Sequence, residues 1–206
     1  MAEFVAGFGA SHSVMLVCTL EDWQKGFRTF DPKGMFYDRQ GNAVTYEQLL
    51  KLAPANAPEL VTDAAIEKRY NDVQAAIKRM AKEVQAAKLD VMIICGDDQN
   101  ELFSKNLQPA MGIYHGKTIR NAQRKELPPD QWYKRAQMRR LETDGPVDYP
   151  VNDKLALHLI YGLIEDGFDI AALGGMSDTQ YEGHAFSYIQ KFFMEDQIVP
   201  IVPIFL

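Results

Sequence analysis

Cysteine is scarce in this chain. Only two, Cys18 and Cys95, occur in 206 residues. Both lie in apolar stretches, the setting of reduced core thiols rather than of a disulfide framework. No histidine stands at catalytic spacing from Cys95, which argues against a thiol nucleophile. Long apolar runs are missing too, and no stretch approaches the roughly 18–20 residues that cross a bilayer. The opening Met-Ala-Glu-Phe-Val lacks the basic start and apolar run of a secretory signal, so a cytoplasmic location is expected. Positive charge is in deficit, with 22 Lys and Arg against 28 Asp and Glu and a net charge of −6. That balance disfavours nucleic acid as a partner, since such proteins present a basic face. The one basic cluster, Lys134, Arg135, Arg139 and Arg140, has helical spacing and reads as a solvated face. Internal repeats, low-complexity segments, a Walker loop, a dinucleotide fingerprint, a zinc-type Cys/His pattern and a Gly-x-Ser-x-Gly elbow are all absent.

What is present suits a globular protein with a real core. Hydrophobic residues make up 47% of the chain and charged residues 24%, and the length fits one domain. Residues 3–10 read as a short buried strand running into Ser11 and His12. A short helix is expected over 21–30, where Trp23, Phe27 and Phe30 recur at three-to-four spacing. Asp38 to Asn42 signals a turn, and Thr45 with Gln48 forms a capping box for a helix over 46–53, before Pro54 and Pro58 break the chain.

The strongest periodicity spans 62–88, where Ile66, Tyr70, Val73, Ile77, Met80, Val84 and Ala87 fall on one helical stripe. Asp90 to Cys95 is a continuous apolar run, as in a strand buried on both faces, and Pro109 to Tyr114 offers another strand. Residues 116–150, with Pro128, Pro129, Pro146 and Pro150, read as an irregular excursion. A helix over 153–166 capped by Asn152 and ended at Gly167, a strand over 168–173, a helix after Gly183 and a last strand over 198–206 complete the series. Strands alternating with helices predict an α/β fold, a single layered domain whose mostly parallel or mixed central sheet is flanked by helices.

Ligand sites in such sheets lie beyond the carboxyl ends of the strands. Three polar clusters fall at strand ends: Ser11-His12-Ser13, Asp97 to Glu101, and the loop from Asp178 to His184. His12 is flanked by Gly9, Ala10 and Ser11, small enough to leave room for a metal or substrate, although a capping histidine fits the same place. Asp97, Asp98 and Glu101 are hard donors suited to a divalent cation, and equally suited to capping a helix. His184 opens a helix, where the positive end of the dipole favours the neutral imidazole that a general base requires. His115 is a weaker candidate for the same rim, and His158, between Leu157 and Leu159, reads as structural.

At these residues the sequence resembles the class III extradiol ring-cleaving dioxygenases, of the protocatechuate 4,5-dioxygenase β-subunit type. Gly9-Ala-Ser-His12-Ser13 is similar to the first motif, and Val91 to Phe103 is similar to the second. Asp153 to His158, Asp166 to Asp169, Gly183 to Phe186 and Val199 to Phe205 follow in matching order and spacing. The resemblance covers nearly the whole chain. It implies an Fe(II) enzyme that inserts O₂ into a catecholic or aminophenolic ring, with an aromatic diol and O₂ as its partners and an oligomeric assembly. It further implies that His12 is an iron ligand and His184 the acid/base, with Ser13, Asp98 and His115 on the substrate side. Gln99 stands where the second iron-binding histidine would be, with Glu101 or Asp98 as the nearby donors able to replace it. The family's carboxylate ligand lies downstream of the last motif, whereas this sequence ends at Leu206 in an apolar strand. A truncated C-terminus, or a complementing partner chain, is the matching expectation. Two other functions stay open: a catalytically silent assembly subunit, and a hydrolase using Asp98, Glu101 and His12 around Mg²⁺, Mn²⁺ or Zn²⁺.

Overall fold

The computed structural model describes residues 3–122, 131–178, 180–194 and 197–206. In chain order the regular elements begin with α1 (Phe27–Phe30), β1 (Phe36–Tyr37), β2 (Ala43–Val44), α2 (Tyr46–Lys51), α3 (Ala57–Leu60) and α4 (Asp63–Ala86). Then come β3 (Met92–Gly96), β4 (Gly112–Tyr114), β5 (Thr118–Asn121), α5 (Trp132–Met138) and β6 (Val147–Pro150). The last are α6 (Asp153–Glu165), β7 (Ala171–Leu173), α7 (His184–Ile189), which continues as a π-helical turn over Gln190–Met194, and β8 (Ile201–Phe205). The described residues fall into two compact units, one drawn from 1–12, 77–126 and 138–206, the other from 13–76 and 127–137.

The larger unit is an α/β structure built on a four-stranded mixed sheet of order β3-β8-β4-β7. β8 runs parallel to β3 and antiparallel to β4, and β4 runs parallel to β7. The last strand is thus one of the two interior ones, with β4, which explains the apolar run from Ile201 to Phe205: it has partners on both edges and is largely buried. β4 reaches only Ile204 and Phe205, so Pro203, with no N–H to give, lies beyond that ladder.

Period-two alternation sorts the side chains between two layers. Val202 and Ile113 pack with Ala156 and Ile160 of α6 on one face. Ile94, Ile201 and Phe205 pack with Ala185 and Phe186 of α7, and with Ile119 and Tyr149 of the β5–β6 ribbon, on the other. Asn152 accepts the Leu155 N–H at the start of α6. Gly167, at φ +90°, ends it in a Schellman turn in which Gly167 and Phe168 donate to Ile164 and Leu163.

The smaller unit is helical apart from the β1–β2 hairpin. Its aromatic residues meet at close range, with Phe30 stacked on Tyr133 at 4.8 Å and Phe27 edge-on to Trp132 at 5.3 Å. The capping box on α2 is formed in both directions by Thr45 and Gln48. On α4 the expected stripe is buried or half-buried, and Lys68, Lys78, Lys82 and Lys88 face solvent.

Three expectations fail. β3 stands at the edge of the four-stranded order and Cys95 on it is exposed, so this strand is not buried on both faces and Cys95 is not a core thiol. Residues 3–10 form no strand and are exposed, with Phe4 at 89% and Val5 at 63%. A Cβ added at Gly7 or Gly9 would touch nothing. Alternating small residues offer too little apolar area to offset the entropy of ordering a strand. Residues 116–150 are not wholly irregular either, since they carry β5, α5 and β6. β5 and β6 pair antiparallel through Ile119↔Tyr149, and these two inward apolar side chains suffice to seat a polar ribbon. Residues 123–130, including Pro128 and Pro129, lie outside the described residues.

Candidate functional site

β3 ends at Gly96, and the chain turns sharply through Asp97 to Glu101, with Asn100 in the left-handed region at φ +65°. α7 starts beside that turn. A Cβ on Gly96 would stand 2.5 Å from the Cβ of Ala185, so the two backbones approach as closely as glycine allows. That contact brings Asp97, one residue past the strand, to His184, one residue before Ala185. His12 arrives from the irregular segment.

The three side chains converge on one point. His12 Nε2 lies 3.3 Å from Asp97 Oδ1, and His184 Nε2 lies 3.6 Å from the same oxygen. The two imidazole centroids are 4.6 Å apart. One ligand atom from each residue lies within 4.8 Å of the others. Despite these distances, Asp97 Oδ1 is buried without a hydrogen-bond partner among the described residues. Ligand atoms ~2.1 Å from a common ion at angles between octahedral and tetrahedral are about 3.0–3.4 Å apart. The two contacts to Asp97 Oδ1, at 3.3 and 3.6 Å, approach that spacing, while the set as a whole spans up to 4.8 Å, so the three side chains can hold a divalent metal once their ligand atoms draw together.

The other predicted residues surround this cluster. Gln99 Nε2 donates to Asp97 Oδ2 at 3.0 Å, holding the carboxylate so that Oδ1 faces the histidines. Asp98 accepts the N–H groups of Leu102 and Phe103 at 2.8 and 3.1 Å, a capping role inside the turn. Glu101 lies on the far side of the His184 ring, its oxygens 2.9 and 3.0 Å from Nδ1, and it also accepts the His184 backbone N–H at 3.0 Å. Burial opposes ionisation of Glu101, but the hydrogen bond and charge of His184, together with Arg140, hold its carboxyl below the usual range. Ser13 opens a 3-10 turn over Val14–Val17. His115 donates its backbone N–H to Leu173, and its ring lies over Gly174. His158 is exposed on α6, and both cysteines are free, Cys18 buried and Cys95 exposed.

Sequence reasoning names Asp97 among three acidic candidates without singling it out, and it misses Arg140. Asp97 and Asp98 are indistinguishable as letters, and only the turn after Gly96 decides which faces inward. Arg140, read as part of a solvated basic face, instead turns inward at 15% side-chain exposure and reaches Glu101 Oε1 at 3.4 Å. Lys134, Arg135 and Arg139 do face solvent.

Behind this lies a buried polar group. Glu182, 1% exposed, sits beside the amides of Asn121 and Gln190 without either carboxylate oxygen in hydrogen-bonding geometry. Desolvation raises the Glu182 carboxyl well above the ordinary 4.5. A carboxyl raised by folding binds its proton more tightly in the native state, so stability falls as pH rises from about 4.5 toward the folded value. Glu182→Gln is therefore expected to raise the melting temperature at pH 7 and to leave it unchanged near pH 4. A variant with equal or lower stability at pH 7 contradicts this.

No protein-family model matches the chain, and a search of curated proteins finds no match. No helix among the described residues is long and apolar enough to cross a membrane.

Proposed function

We propose that the chain is an Fe(II)-dependent dioxygenase that inserts O₂ into a catecholic or aminophenolic ring, with His12, Asp97 and His184 as the metal ligands. The observation that carries this reading is the convergence of two imidazole nitrogens on one unpartnered carboxylate oxygen. Two histidines and one carboxylate on one face of Fe(II) leave positions open for both oxygens of the diol and for O₂. Gln99 orients Asp97, and Glu101 orients His184. His184 Nε2 shares the Asp97 oxygen with His12, so the geometry favours it as a donor over a free acid/base. Asp97 also supplies the carboxylate that the family pattern would seek beyond Leu206. The acidic charge and the two free thiols accord with a cytoplasmic enzyme, and an oligomer is part of the same proposal.

Hard donors also suit Mg²⁺, Mn²⁺ or Zn²⁺, so a non-redox hydrolase is the second reading. Metal analysis of anaerobically prepared protein, followed by O₂ uptake with a panel of catechols, separates the two. Bound iron with O₂ consumption and a coloured ring-fission product is the expected result. A non-redox ion with no O₂ consumption favours the hydrolase, and absence of any metal favours a silent assembly subunit.

A further inference from the structure

We propose that the outer face of α6 is a contact between two copies of this chain, in which the second copy packs its own α6 antiparallel about a twofold axis beside Tyr161. The proposal goes beyond the metal-site reading and uses none of its residues.

α6 is apolar on two sides. Ala156 and Ile160 point inward, against Ile113 and Val202. On the opposite side Tyr161 is 65% exposed and Ile164 50%, and Phe168, just past the Gly167 turn, is 53% exposed. Three large apolar side chains within eight residues make a patch rather than a scatter. Helices that are apolar all round are ordinarily covered all round.

The charge pattern names the occupant. At 3.6 residues per turn, Lys154 and Tyr161 run along the middle of the exposed face. Half-buried Leu157 and exposed Ile164 lie to one side of that line, and exposed His158 and Glu165 to the other. A twofold axis perpendicular to the helix turns the copy end for end and keeps each side opposite its like. Apolar side then meets apolar side, while His158 of each copy meets Glu165 of the other, a ring N–H against a carboxylate. A parallel pair would set the apolar side of one helix on the charged side of the other. Complementarity along both sides thus selects a second copy and the antiparallel pairing.

Positions 158 and 165 are equidistant from the midpoint between Tyr161 and Gly162, which places the axis there. A Cβ on Gly162 would meet nothing within 4 Å, so this glycine serves no contact inside the described chain, although a mid-helix glycine weakens a helix. At the axis it leaves room for the Tyr161 ring of the other copy. A helix of 13 residues is about 20 Å long and 10 Å wide. That footprint is below the ~800 Å² per partner of a standard interface, so the dimer is expected to dissociate on dilution.

Sedimentation velocity of the metal-free chain over a dilution series is the test, and a monomer–dimer exchange is the expected result. Ile164→Glu should raise the dissociation constant at least about 10-fold without lowering the melting temperature, since the position is half exposed. His158→Glu should weaken the dimer, and adding Glu165→Lys should restore most of the loss; both positions are exposed, so folding is not at stake. In a Cys95→Ser background, needed because Cys95 is exposed, Tyr161→Cys should cross-link the copies on mild oxidation, as residues beside a twofold come within disulfide reach. Lys154→Cys, about 22 Å from its counterpart in the antiparallel pair, should not. A chain that stays monomeric, an Ile164→Glu protein that dimerises like the wild type, a charge swap without rescue, or cross-linking at both positions overturns the proposal. Binding of a monomer to phosphatidylcholine vesicles would assign the face to a membrane and overturn it equally. The assay contains no metal, so its failure leaves the iron reading standing, and failure of the iron test leaves this contact standing.

Discussion

Asp97→Asn is expected to weaken Fe(II) binding by more than about 100-fold, beyond the range for loss of an outer partner, with the stability changed by no more than about 1 kcal/mol. The amide keeps the shape of the carboxylate, and its oxygen can still accept from Gln99. What it removes is the one anionic oxygen on which both histidines converge, at 3.3 and 3.6 Å. The side chain is 37% exposed, so no large desolvation change accompanies the substitution. The neighbouring carboxylate provides the internal control. Asp98→Ala removes the acceptor for Leu102 and Phe103 N–H, so it should cost about 1 kcal/mol, as lost caps do, and leave Fe(II) affinity near wild type. Calorimetric titration and thermal melting on the two variants decide the matter. The reverse pattern, with metal lost in Asp98→Ala and kept in Asp97→Asn, would move the metal to Asp98, another of the acidic donors that the sequence offers.

The contrast between those two residues shows what a single sequence carries. Periodicity reports long-range burial well when an element is long or bounded by caps. The α4 stripe, the Thr45 box, the Asn152 cap, the Gly167 turn and the apolar run of β8 all follow from local rules that tertiary structure then respects. His184 is also legible, because it opens an amphipathic helix just after Gly183, whereas His12 is picked out by a strand that does not form. Orientation within a turn is not legible. Asp97 and Asp98 differ by one position, and the left-handed Asn100 reverses the chain, which puts Glu101 behind His184 rather than beside His12 and Asp97. Arg140 is hidden for another reason. Its inward turn is decided by a buried carboxylate 39 residues away, and nothing in the spacing of a basic cluster encodes that partner. Residues 3–10 mislead in the opposite sense, since their apolar letters are real but too few atoms stand behind them.

Gly96→Ala should be the most damaging small substitution near the site, and a second change should undo it. The added methyl would sit 2.5 Å from the Ala185 Cβ, with Phe186 at 3.6 Å and the Ala185 backbone at 3.8 Å. Neither neighbour is a flexible side-chain tip that can swing away. β3 is fixed by its ladder with β8, and α7 is fixed by Phe186, which is fully buried against Phe205. Overpacking between two such elements costs about 1–3 kcal/mol, and relief comes only from sliding α7 away from the strand end. Because His184 and Asp97 are the residues next to this contact, the slide separates the two donors, and Fe(II) affinity should fall together with the melting temperature. Ala185→Gly in the same chain restores the missing space at the price of a glycine near the start of a helix, roughly 0.5–1 kcal/mol. The double variant is therefore expected to regain Fe(II) affinity almost completely and stability in part. Thermal melting and Fe(II) titration of the two single variants and the double variant complete the cycle. Strictly additive losses would mean that the close approach of these two backbones does not set the spacing of the site.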